Sequence, residues 1–327
     1  MRNFILLITT FILIQGCGKS NEAEQSGNLQ KPKEIEHLNL IILSDLSNRI
    51  NDDFYPRQLT DIQIIEAITE VFPDYLRVGG RLINQKDRLR LRLINKQEIP
   101  NFHDYEADLS VDLGLFQTQG ERIDYLNNKA EKSITTDLND FQNASAKIYN
   151  KAYQNTSGAD IWTFFNQSFD DTYLQLTNPV ENEYVQDKAR TVIILLTDGY
   201  LETGNYDKDF CEGNSCYFLS PSRIKDFRSR LKKSAGLKVK DIIEQEGYGI
   251  KPVKNKSLKE VEVLTLEFYD RSKSASGAAS VYPTDFQITK AMWKDWLKNS
   301  GVKHSEIYET RESIGDIKKI VRGFLFP

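Results

Sequence analysis

The chain contains 327 residues with a formal net charge of −4; 39% are hydrophobic and 28% charged. That length and apolar content suffice for a substantial core, in one large domain or two small ones. The net acidity supplies no global attraction to phosphate backbones and excludes nucleic acid as the expected partner.

In chain order, residues 1–16 read as a signal peptide: Arg2 gives a positive start, and the apolar stretch from Phe4 to Ile14 is too short to span a bilayer. Ile14-Gln15-Gly16-Cys17 resembles a bacterial lipoprotein box. The resemblance implies that Cys17 is lipidated and that the mature protein is exported and held at the outer membrane, on its periplasmic face or the cell surface, or at another envelope membrane. The polar residues from Lys19 to Glu36 suit a flexible tether, so 17–36 read as lipidated cysteine plus tether and 37–327 as the folded domain.

Leu38 to Leu43 is a nearly unbroken apolar run, the pattern of a strand buried on both faces of a parallel sheet, and it ends in Asp45-Leu46-Ser47-Asn48-Arg49. Thr60 to Val71 carries a helical apolar face and is expected to end before Pro73. Leu89, Leu91 and Leu93, then Leu109, Val111, Leu113 and Leu115, alternate as two strands, antiparallel to each other if they pair. The arginines interleaved in the first of these, Arg88, Arg90 and Arg92, read as a solvated strand face. Glu121 to Tyr153 reads as helix, with Thr135-Thr136-Asp137 as a point of interruption.

Val192 to Leu196 repeats the buried-strand design and stops at Thr197-Asp198-Gly199. Ligands bind outside the carboxyl ends of strands in open α/β sheets, so Asp45, Ser47 and Asp198 are expected at one edge. Tyr200 to Ser220, with Cys211 and Cys216, leaves from that edge, and the cysteines of an exported chain favour a disulfide across so short a loop. Ser222 to Leu237 reads as a basic helix, and Lys240 to Lys256 as an extended excursion. Val261 to Phe268 is a further strand, followed by a small-residue loop, a helix from Ile288 to Leu297, an edge strand from His304 to Tyr308 and a closing helix from Ile314 to Phe324. The alternation predicts a three-layer α/β/α domain around a mostly parallel sheet.

Asp-x-Ser after the first strand and Thr-Asp-Gly after a later one resemble the von Willebrand factor type A fold and its metal-ion-dependent adhesion site. The resemblance implies protein–protein interaction in which a partner's acidic side chain completes the coordination of a divalent ion, Mg²⁺ or else Mn²⁺ or Ca²⁺. Asp45, Ser47 and Asp198 would supply hard oxygen ligands. The family's middle-loop threonine would fall near Asn155 to Ile161, where Ala159 stands at the key place; Thr156 or Asp160 would compensate, although Ser157 and Asp160 equally form a helix cap. Asn48 would add an amide oxygen if aimed inward. Arg49 stands where the family has a second serine, and a guanidinium has no lone pair for a cation. The competing expectation is that Arg49 neutralises the acids by a bidentate pair and leaves a metal-free binding surface. A metal-dependent phosphoester hydrolase using the same aspartates is a further alternative.

Overall fold

The computed structural model describes residues 31–51, 53, 56–77, 83–153, 158–202, 211–234, 236–274 and 276–326. Three expectations on the sequence, the signal peptide at 1–16, lipidation of Cys17 and compensation by Thr156, lie outside these residues.

The central sheet is built from β1 (Lys33–Ser44), β2 (Arg88–Leu93), β3 (Ser110–Asp112), β4 (Val185–Leu196), β8 (Val261–Phe268) and β9 (His304–Glu309). Its spatial order is β3-β2-β1-β4-β8-β9, with every pair parallel except β2 and β3. β1 and β4 run side by side from Lys33↔Val185 to Ser44↔Leu196, so Lys33 to Glu36, read from sequence as tether, belong to the sheet. A three-strand sheet of β5 (Cys211–Glu212), β6 (Ser215–Cys216) and β7 (Gly249–Ile250) lies beside it, and Cys211 and Cys216 are disulfide-bonded.

Side chains alternate across the central strands and feed two apolar layers. Leu38, Leu40, Ile42, Leu89, Leu91, Val192 and Ile194 face α1 (Asp61–Leu76), α3 (Ile134–Ala152) and α8 (Ile314–Leu325). Ile41, Leu43, Ile193, Leu195, Val261 and Val263 face α5 (Pro221–Lys233), α6 (Val239–Glu246) and α7 (Asp285–Asn299). This is the expected three-layer α/β/α architecture, and burial on both faces is why β1, β4 and β8 read as continuous apolar runs. At roughly 1.5–3 kcal/mol for each fully buried large aliphatic side chain, those two layers are what hold the sheet ends in place.

Several boundaries differ from expectation for local reasons. α1 continues through Pro73 to Leu76, because burial of Tyr75 and Leu76 outweighs the missing backbone donor. The helical stretch after Glu121 is broken into α2 (Gln119–Leu126) and α3, but upstream of the expected point: Thr135-Thr136-Asp137 lie within the first turn of α3, which Ser133 caps through its hydroxyl on the Thr136 amide. The expected excursion after Lys240 begins as helix α6, which buries Ile242 and Ile243 and ends at Gly247 in the left-handed region at φ +61°. Ile161, Trp162 and Thr163 make one α-turn, the short α4, that passes into a π-turn over Phe164–Ser168.

Among the described residues no helix is long and apolar enough to cross a membrane.

Candidate functional site

The strand order reverses between β1 and β4, and the crevice outside their carboxyl ends is where an open α/β sheet binds ligands. Both Asp-bearing turns leave from that point. The Asp45 amide donates to the Leu196 carbonyl at 3.1 Å, the Thr197 amide to Leu266 at 3.2 Å and the Tyr269 amide to Asp198 at 3.1 Å. The ends of β1, β4 and β8 are thereby tied into one edge. Gly199 makes the last turn possible: it sits at φ +85°, and a Cβ there would come within 2.8 Å of the Phe268 ring.

Asp45 and Asp198 converge, as the sequence predicts, but their oxygens are already engaged. Asp45 accepts from the Ser47 amide at 3.0 Å on Oδ1 and from the Thr197 hydroxyl at 2.9 Å on Oδ2. Asp198 accepts from the Tyr200 amide at 3.0 Å and from Arg271 at 3.0 Å. Burial raises the Asp45 carboxyl to about 6, against the lowering effect of Arg49 and with a further rise from Asp198. Ser47 is 9% exposed and stands beside Asp45.

Arg49 occupies the floor of the site. A single 3₁₀ turn, Asn48–Ile50, turns its side chain inward until it is 1% exposed, while Asn48 faces solvent. Its guanidinium donates to the Asp45 carbonyl through Nε at 3.0 Å, to the Leu196 carbonyl at 2.9 Å, and to both oxygens of Asp61 at 3.2 and 2.5 Å. The bidentate partner is therefore Asp61, at the start of α1, and not Asp45 or Asp198; Nε passes 3.6 Å from Asp45 Oδ2. Asp61 also accepts from Arg57 at 2.7 Å and from the Tyr149 hydroxyl at 2.9 Å, and the same hydroxyl lies 2.8 Å from Ser44 Oγ. Burial alone would raise the Asp61 carboxyl, but Arg49 and Arg57 overcome it and hold it at about 2.

A third carboxylate closes the network on the β8 side. Glu267 is 1% exposed and adopts φ +75°, within an irregularity of the β8–β9 register, a backbone region that non-glycine residues rarely occupy. Among the described residues neither of its oxygens meets a hydrogen-bond partner, and Arg57 Nη1 lies 3.9 Å from Oε2. Burial and the neighbouring Asp61 push it up to about 7, partly offset by Arg57 and Arg49. On the outer side, Arg271 bridges Asp198 and Glu202 at 3.0 Å each and lies 3.8 Å over the Tyr200 ring.

Each carboxylate oxygen of Asp45 and Asp198 accepts a hydrogen bond, and the Arg49 guanidinium passes beside Asp45 where the resembling family has a second serine. Among the described residues no three His, Cys, Asp or Glu side chains gather as a ligand group. Asp160 is exposed and accepts from the Thr163 amide at 2.8 Å, which is the capping role, and no interaction joins it to Asp45 or Asp198. Asp61, Arg57, Tyr149, Glu267 and Arg271 are the residues that sequence reasoning missed. The available signal was Arg49 itself: a cation in the turn directly after a buried strand needs an acid if it turns inward, and Asp61 opens the next helix.

Comparison with protein-family models, with curated proteins and with solved structures returned no match.

Proposed function

We propose that this chain is an envelope-anchored binding protein whose von Willebrand factor A-like domain recognises a protein partner at the β1–β4 edge without a resident divalent ion. One observation carries the reading: the buried Arg49 guanidinium, chelating Asp61 beneath Asp45, supplies the positive charge that a cation supplies in the resembling family. Arg271 does the same for Asp198 at the rim. The surface then presents Arg271 and Glu202, with Asp198 buried beneath Arg271, as fixed polar contacts at the topological switch point, a placement suited to recognition by complementary charge.

The test is partner capture from envelope extract by the full chain, with EDTA and with Mg²⁺. The reading expects the same partner in both, lost when Arg271→Glu reverses the rim charge. Capture abolished by EDTA and restored by Mg²⁺ would contradict it. Anchoring is checked separately by labelled palmitate, expected in the wild type and absent from Cys17→Ser.

A further inference from the structure

The alternating run Arg88-Leu89-Arg90-Leu91-Arg92 reads from sequence as a strand with one solvated face. The leucines indeed enter the core, but the arginine face is covered as well: Arg88 is 8% and Arg90 7% exposed. The cover is the segment between the π-turn and β4. Arg90 donates to the Tyr173 carbonyl at 2.9 Å and to Asn39 Oδ1 at 3.1 Å, and Arg88 donates to the Gln175 carbonyl and to Asn39 Oδ1. Fixing that segment explains why two of these arginines are buried. It does not explain the third, or the cavity beside them.

At the carboxyl end of β2 a cavity of about 440 Å³ is lined by Arg90, Arg92 and Lys96, with Gln97, Glu106 and Ser168 among the other wall residues. Volumes of this order hold small ligands. Among the described lining residues three cations face one carboxylate, which leaves an excess of two positive charges in a half-enclosed space. Among the described residues neither Arg92 nor Lys96 forms an ion pair, and the one hydrogen bond of the Arg92 guanidinium goes to the carbonyl of its own neighbour, Leu91. Arg90 retains an Nε without a partner. Burial, reinforced by Arg88 and Arg92 and only partly offset by Asp112 and Tyr173, pushes the Arg90 guanidinium down to about 9. Of the three, Arg90 is buried, Arg92 partly buried and Lys96 exposed; a buried cation is ordinarily paired, because an uncompensated one costs several kcal/mol.

We propose that this cavity is a binding site for a phosphoryl oxyanion, either free phosphate or the phosphoryl group of a small ester, held by Arg90, Arg92 and Lys96. A dianion matches the excess of two charges. The planar fork of Arg92 suits two oxygens at once, and Lys96 adds a mobile point charge at the mouth. The Gln97 amide and Ser168 hydroxyl offer neutral donors for the remaining oxygens. The site lies on the β2 side of the sheet and uses none of the residues assigned to the β1–β4 edge.

The experiment is calorimetric titration of the full chain, in phosphate-free buffer, with inorganic phosphate, glycerol 3-phosphate and acetate. Arg92→Gln, Lys96→Gln and Arg322→Gln are titrated beside the wild type; Arg322 is a cation on the exposed face of α8, paired with Asp74. Saturable binding of either phosphoryl compound is expected, with the preference between the two identifying the source of the oxyanion. Arg92→Gln and Lys96→Gln should each weaken it about tenfold, or about 1.4 kcal/mol, while Arg322→Gln leaves it unchanged. Acetate, with one charge, should bind at least about tenfold more weakly. Circular dichroism establishes that each variant is folded. The proposal is overturned if folded wild type gives no saturable heat with either phosphoryl compound, if acetate binds as tightly, or if the Arg92 and Lys96 variants keep wild-type affinity.

Discussion

Replacing Arg49 by serine converts Asp-x-Ser-x-Arg into the Asp-x-Ser-x-Ser of the resembling family, and it tests what the arginine does. The substitution removes both charge-assisted bonds to Asp61 and the donors to the Asp45 and Leu196 carbonyls. Asp61, 1% exposed, keeps Arg57 and the Tyr149 hydroxyl, which compensate only part of the loss. Breaking one side of a buried pair costs about 3–5 kcal/mol. With an unfolding entropy of ~2.1 cal/mol/K per residue over about 300 residues, this corresponds to a fall in Tm of ~5–8 °C. Thermal unfolding of wild type, Arg49→Ser, Asp61→Asn and the double variant forms a double-mutant cycle. The coupling should be about 2–3 kcal/mol, because once Asp61 is neutral the missing guanidinium leaves no stranded charge. Arg49→Ser indistinguishable from wild type, with strictly additive single effects, would refute the view that this pair holds the site together.

The remaining predictions concern pH and backbone. Asp45 and Glu267 have folded-state values raised to about 6 and about 7, so the folded state binds more protons than the unfolded chain, and their contribution to stability falls as pH rises from about 4 towards 7. Asp61, held at about 2, acts oppositely: its contribution is present above about 4 and is lost as pH drops towards 2. Glu267→Gln should therefore stabilise the protein by about 2–3 kcal/mol at pH 8 and by much less at pH 5, read from urea midpoints; an equal gain at both pH values would show that burial of the charge is not the cause. Gly199→Ala should destabilise by more than about 1 kcal/mol and shift the resonances of Asp198 and Tyr200, since it adds both a strained φ and contact with Phe268. Unchanged stability in that variant would mean that the turn is less constrained than its geometry indicates.

The contrast between what the sequence revealed and what it concealed follows from the range of the interactions. β1, β4 and β8 were legible because burial on both faces writes itself into consecutive residues, and their ends delivered Asp45 and Asp198 to one edge as expected. The partner of Arg49 was not legible, because the pairing with Asp61 depends on how α1 packs back over the strand end and leaves no periodic trace. Alternation in β2 correctly assigned the leucines and misjudged the arginines: period 2 tells which residues share a face, not whether that face meets water. α6 was missed because glycine and proline beyond it, at Gly247, Gly249 and Pro252, dominated the local composition.

Calorimetric titration of the full chain with Mg²⁺ and Mn²⁺, beside Asp45→Ala and Asp198→Ala, tests the central claim most directly. An edge already balanced by Arg49 and Arg271 predicts no saturable heat from the folded wild-type protein with either ion. Saturable binding that disappears in both aspartate variants would contradict the account and return the site to ion-dependent adhesion.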